Sequence, residues 1–208
     1  IRRQRQMCIR DSPMADRHTF DLASHEVEVV NKKERFHRNY AAITVLKRCR
    51  EENRFATPDE QLILSKYVGW GGIPEVFDER ADSWRTEYGM LKNILSPEEY
   101  ASVRESTLTA FYTPPVVIKA MYDALDRLGF SQGNILEPSC GTGNFFGLLP
   151  ESMQNSKLHG VEIDSLTGRI AKQLYPKADI TVAGFETTDR RDFYDPVSYT
   201  HLRAHETD

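Results

Sequence analysis

The sequence predicts an α/β fold in which a largely helical N-terminal region leads into the first strands of a parallel sheet. Three observations predict it. Apolar residues recur at helical spacing as far as Gly129, short segments of apolar and polar alternation begin at Asn134, and a glycine-rich loop directly follows the first of them. The chain has 208 residues, 39% apolar and 28% charged, which allows one domain with an extension or two small ones around a sizeable core.

The first helix is predicted from Asn31, where Phe36, Tyr40, Ile43 and Leu46 fall on one face at three- and four-residue steps. Thr57, Pro58 and Glu60 supply a cap, a first-turn proline and a glutamate three residues after the cap, opening a second helix that runs to Tyr67. Gly69-Trp70-Gly71-Gly72 ends it, and Trp70 reads as a side chain packed in a tight turn rather than a stacking surface. Ser96, Pro97 and Glu99 repeat the start signal for a third helix over 97–105. Thr113-Pro114 opens a fourth, with Val117, Met121, Ala124, Leu125 and Leu128 expected on its inner side.

Beyond Gly129 the period changes. Residues 134–137, 158–162 and 179–182 read as short strands, and Asp164 or Ser165 caps a helix from Ser165 to Leu174 between the last two. Strand, glycine loop, short helix, strand, helix, strand is the beginning of a parallel sheet with right-handed crossovers, and such a sheet is expected to need more strands than these.

Lys and Arg number 27 against 31 Asp and Glu, a net charge of −4, so the chain as a whole lacks the basic surplus that binding along a phosphate backbone demands. Any positive surface is local. Cys8, Cys49 and Cys140 form neither a CxxC pair nor a zinc-ligand spacing, which points to reduced thiols and to no metal. No apolar run approaches a membrane span and the basic start is followed by no apolar signal core, so a cytoplasmic protein with no membrane partner is expected. His18, His25, His37 and His159 have no partner at catalytic or metal spacing.

The two ends read differently from the middle. Residues 1–12 and 196–208 resemble translated sequencing-adapter read-through and are expected to be non-native. They carry +3 and −1, which leaves −6 for residues 13–195. Within that stretch, 13–109 is expected to form the helical region and 110–195 the start of the sheet domain.

The chemistry concentrates in Glu137-Pro138-Ser139-Cys140-Gly141-Thr142-Gly143, with Glu162 at the end of the second strand. Glycines at the carboxyl end of a first strand let a ligand approach the backbone, and an acidic residue about 20 positions on can accept both hydroxyls of a ribose. That pattern suits a nucleoside. A dinucleotide fingerprint requires G-x-G-x-x-G, and here Gly147 comes one residue late, so an NAD-dependent oxidoreductase stays only a remote alternative. Taken singly, Glu137 and Glu162 could be solvent-facing strand ends, Phe185 core and Tyr112 a helix cap; their joint placement favours a site.

The glycine string resembles the motif of S-adenosylmethionine-dependent DNA adenine-N6 methyltransferases, and Ala110-Phe111-Tyr112-Thr113-Pro114-Pro115 resembles the tyrosine-threonine-proline segment that precedes it in that family. The resemblance implies a Rossmann-like methyltransferase sheet, incomplete here. It assigns Glu137 and the backbone from Gly141 to Gly143 to the methionine end of S-adenosylmethionine, Glu162 to the ribose, Ile163 and Phe185 to the adenine, and Tyr112 and Thr113 to the pocket wall, with Ser139 also among the cofactor-binding residues. Where the family often has an acid before the aromatic, this chain has Gly184, and Glu186 or the backbone is left to meet the adenine amine.

A wider run, from Lys33-Glu34-Arg35-Phe36 through Tyr67-Val68-Gly69-Trp70-Gly71-Gly72 to Gly160 and Gln173, resembles the methylase region of large methylase-helicase proteins of conjugative elements. That implies a parent carrying a helicase and meeting DNA through parts outside this chain. Methylating the adenine amine calls for an Asn/Asp-Pro-Pro-aromatic loop after a fourth strand. None is found; Asp195-Pro196-Val197-Ser198-Tyr199 lacks a preceding apolar strand and overlaps the non-native end. A fragment that binds cofactor and does not methylate is expected, the alternative being a non-catalytic scaffold of a DNA-processing protein.

Overall fold

In the computed structural model, described for residues 17–25, 30–108, 112–188 and 193–195, the helical part is laid down by its caps. Asn31 accepts the Glu34 N–H and starts α1 (Lys32–Glu51). Thr57 and Glu60 form a complete capping box at α2 (Pro58–Leu64), whose last turn tightens to end at Tyr67, and Ser96 and Glu99 form another at α4 (Pro97–Glu105). Between them lies α3 (Arg85–Ile94), which the sequence reading leaves out. Its N-terminus has no side-chain cap and its middle holds Gly89, so the spacing of Trp84, Tyr88, Leu91 and Leu95 is left as its local signal.

The fourth predicted helix is α5 (Pro115–Arg127), but its inner face differs from the expected one. Ile118 and Tyr122 are buried, with Met121 and Leu125 partly so, whereas Val117, Ala124 and Leu128 are exposed. The aromatic–aliphatic pair at i and i+4 sets the face, and the Tyr122 hydroxyl donates to the Phe145 carbonyl at 2.8 Å, which fixes the helix against the glycine loop.

β1 (Asn134–Glu137), β2 (Lys157–Glu162) and β3 (Asp179–Val182) form a parallel sheet in the order β1-β2-β3, with Glu137 opposite Gly160 and Glu162 opposite Val182. α6 (Asn144–Gly147) follows the glycine loop, and α7 (Ser165–Leu174) crosses from β2 to β3. The fold is the α/β arrangement of a Rossmann-like sheet.

One core joins the helical part to the sheet part: Phe36, Ile43 and Trp70 belong to the same buried cluster as Ile170, Leu174 and Tyr175. Polar ties reinforce it. Gln61, fully buried, donates to the Gln173 carbonyl at 2.8 Å, and the Gln173 side chain accepts the Ala56 N–H at 2.7 Å. Trp70 is fully buried and donates to the Tyr67 hydroxyl at 3.0 Å, as its reading as a packed side chain requires. Asn39 of α1 grips this turn, donating to Gly69 O at 2.7 Å and accepting from Val68 N at 2.9 Å. Residues 1–12 and 196–208 lie outside the described residues.

Candidate functional site

The carboxyl ends of β1 and β2 meet at the glycine loop. Gly141 has φ +54° and Gly143 φ +89°, a left-handed backbone that glycine adopts without strain. Space adds to that constraint: a Cβ at Gly143 would lie 2.5 Å from the Tyr175 ring, which leaves no room for it, and one at Gly141 would press on the Tyr112 ring at 3.0 Å. The Cys140 N–H donates to Val161 O at 2.9 Å, which seats the loop directly over the end of β2.

Glu162 is the hub. One carboxylate oxygen accepts the Gly141 N–H at 2.8 Å and the other accepts the Asp164 N–H at 2.8 Å, so the side chain bridges the glycine loop to the start of α7. Burial pushes the Glu162 carboxyl above its ordinary value even though these backbone N–H groups oppose the shift. The Ile163 N–H is a third backbone donor, so most of the roughly four lone-pair directions of the carboxylate are used and about one is left for a further donor.

The other predicted residues divide. Tyr112 packs its ring on Gly141, and burial, followed by the nearby Glu162 charge, pushes its phenol well up. Ile163 and Phe185 stand open to solvent at 76% and 46% exposure, on either side of the β2 and β3 ends, so Phe185 is not core. Ser139 is exposed and Thr113 half-buried. Glu137 is buried at the end of β1, near Tyr122 and Cys140, and is not a solvent-facing strand end. Ala110 and Phe111 lie outside the described residues.

Gly184 has a neighbour that the sequence pattern only hinted at. The Glu186 carboxylate folds back over it, 2.1 Å from where a Cβ on Gly184 would stand. An acidic group therefore occupies the space that a side chain at position 184 would enter.

Three residues that support the site were not expected to belong to it, although Asp164 was expected as a cap. Asp164 caps α7 through the Leu166 and Thr167 N–H groups and accepts the Ser102 hydroxyl of α4 at 2.9 Å. Tyr175 fills the space beneath Gly143 and Gly147 and meets Phe146 edge to face. Tyr67, from the turn that holds Trp70, is buried close to Tyr112 and Asp164. Only Asp164 carried a local signal, as a cap candidate. The other two depend on contacts between distant segments.

Asp195 lies elsewhere. Its side chain accepts the Asn134 N–H at 2.8 Å and its own N–H donates to Asn134 O at 3.0 Å, which puts it at the amino end of β1, opposite the glycine loop. Among the described residues no group of three or more His, Cys, Asp or Glu could hold a metal ion, Cys49 and Cys140 are free and buried, and no helix is long and apolar enough to cross a membrane.

Comparison with known proteins gives this arrangement its relatives. Residues 94–195 match the family model of N-6 DNA Methylase. The chain is 31% identical over 80 residues to the Defense against restriction protein B of Escherichia phage P1, and 35% identical over 85 residues to the Type II methyltransferase M.CvrRI of Paramecium bursaria Chlorella virus XZ-6E. These matches cover 38% and 41% of this chain but only 3% and 22% of the two relatives. Among solved structures, a protein described as a class I S-adenosylmethionine-dependent methyltransferase from Listeria monocytogenes aligns with a TM-score of 0.30 at 15% identity, covering 73% of this chain and 53% of that one. Over residues 94–195, the chain carries an N6-adenine DNA methyltransferase-like domain.

Proposed function

We propose that the carboxyl edge of the sheet is the S-adenosylmethionine site of this methyltransferase-like domain. The observation that carries the reading is the Glu162 carboxylate, held at the strand end by backbone N–H groups of Gly141 and Asp164 and without an ion pair among the described residues. In this reading Glu162 accepts a ribose hydroxyl, and the exposed Ile163 and Phe185 flank the adenine. Glu186, lying over Gly184, takes the adenine amine in place of an acid at position 184. The residues present suit such a group: a backbone cradle without Cβ atoms, a carboxylate, and two exposed apolar side chains. Gly141, Gly143, Ser139 and Glu137 line the methionine end, and Tyr112 and Thr113 form the wall. When bound, the cofactor supplies a methyl group on a positively charged sulfur.

The whole protein then acts on DNA, with this chain providing cofactor binding and other parts of a larger, cytoplasmic, mobile-element methylase-helicase providing the catalytic loop and the DNA grip. The chain alone binds cofactor and does not methylate. Titration calorimetry with S-adenosylmethionine, its demethylated product and NAD tests this. Saturable binding of the first two, lost in Glu162→Ala and weakened in Glu186→Ala, is expected. NAD binding without competition from S-adenosylmethionine would overturn it, and methyl transfer to DNA by the chain alone would overturn the missing loop.

A further inference from the structure

A second cleft, of about 600 Å³, opens between α1, the C-terminal half of α7 and the start of β3, toward the amino end of the sheet and away from the glycine loop. A cleft of that size admits about one or two nucleotides of an unpaired strand and is too small for a duplex. Its lining is strongly cationic: Arg17, Lys47, Arg50, Arg169, Lys172 and Lys177 surround it, with Asp179 the one carboxylate among the lining residues. Glu99 of α4 offsets part of that charge by pairing with Lys47 at 3.0 Å and Arg169 at 2.7 Å. Even so, a concentrated positive surface stands on a chain whose net charge is −4.

The floor is not merely apolar. Leu46 and Ile180 line it, and Phe55 is half-buried with the Arg17 guanidinium 5.6 Å from its ring centre and donating to the Pro176 carbonyl, which places an aromatic ring and a guanidinium next to each other. Cations placed around such a surface are the combination by which proteins hold unpaired nucleotides: bases stack on the aromatic and guanidinium planes while the cations follow the phosphates. An acidic peptide would use the cations but would have no need of the stacking surface.

We propose that this cleft binds single-stranded nucleic acid, with a base against Phe55 and Arg17 and phosphates on Arg50, Lys177 and their neighbours. The six cations come from three separate parts of the chain, so the site exists only in the folded protein. Arg50 and Lys177 are exposed, which makes them removable without touching the core.

Fluorescence anisotropy of the full 208-residue chain tests this, using a labelled 12-nucleotide single strand, the same sequence as a duplex, and unlabelled adenosine monophosphate and polyglutamate as competitors. The single strand is expected to bind more tightly than the duplex. Arg50→Glu with Lys177→Glu is expected to weaken it about tenfold or more and to reduce the slope of log affinity against log salt by about 1.4, at about 0.7 per lost phosphate contact. Phe55→Leu, which keeps an apolar side chain, is expected to weaken it about fivefold through lost stacking. Circular dichroism confirms that each variant folds. Equal or tighter binding of the duplex, stronger binding of polyglutamate, displacement by the free nucleotide as effective as by the strand, or variants that bind like the parent would each overturn the proposal.

Discussion

Glu60 in the helical part and Glu162 at the sheet edge both accept backbone N–H groups through their carboxylates, yet the protein drives them in opposite directions. Glu60 takes two hydrogen bonds from Arg54, at 2.5 and 2.8 Å, besides the Thr57 N–H at 2.9 Å; Arg54 chiefly holds its carboxyl down at about 2. Glu162 has backbone donors but, among the described residues, no ion pair, and burial raises it. The first is a closed junction in which every charge is answered. The second is a carboxylate held by backbone N–H groups with no cation beside it among the described residues, the pattern expected of a binding group. Glu99 follows the closed pattern: burial would raise it, but hydrogen bonds from Arg169, Ser96 N–H and Lys47 outweigh that and hold it at about 2.

The largest test of the contrast is Trp70→Ala. Trp70 is fully buried and hydrogen-bonded in the helical part, so its loss should cost about 3–5 kcal/mol of unfolding free energy in a urea titration. A cost below about 1 kcal/mol would mean that the helical part contributes little to the shared core.

Next comes pH. Glu60 and Glu99 are held below the ordinary value of 4.5, so their stabilisation is present above 4.5 and is lost as pH falls toward 2. Glu162 is raised, so the sign reverses: its folded-state charge opposes stability, and protonation as pH falls through its raised value relieves that. Affinity for the demethylated cofactor should therefore drop about tenfold per pH unit below the raised value, while thermal melts above pH 4.5 still show the ion pairs intact. Ligand affinity that stays flat down to the pH of unfolding would sink the ionised-acceptor role of Glu162.

Arg54→Met is a smaller perturbation, about 1 kcal/mol by chemical denaturation, because Arg54 is partly solvated, and it should flatten the acid limb of the stability profile. Smallest in stability is Ile163→Ser with Phe185→Ser. Both side chains are exposed, so unfolding should shift by no more than about 0.5 kcal/mol while cofactor affinity falls about fivefold or more. A large loss of stability would instead make this pair structural and erase the difference between the two regions.

Legibility followed the range of the interaction. α2 and α4 were readable because a capping box is written within four residues, and β1, α7 and β3 because period and caps are equally local. α3 was not, having neither cap nor an unbroken run of helix formers. The inner face of α5 was misjudged because Val117 and Ile118 are equally apolar in sequence, and only the position of Phe145 and its carbonyl selects Ile118 and Tyr122. At the candidate site the glycine string and Glu162 could be read from spacing, but the burial of Glu137, the support from Tyr67 and Tyr175, and Glu186 over Gly184 could not.

The sequence by itself determined where helices and strands begin, that a glycine loop follows the first strand, and that an acid ends the second, since backbone propensity, caps and glycine's left-handed conformations act over a few residues. Tertiary structure alone decided that Glu99 pairs with Lys47 and Arg169, 52 and 70 residues away, which apolar side chains stay open, and that Arg17, Arg50 and Lys177 share one cleft, because burial and such pairings depend on contacts between distant segments.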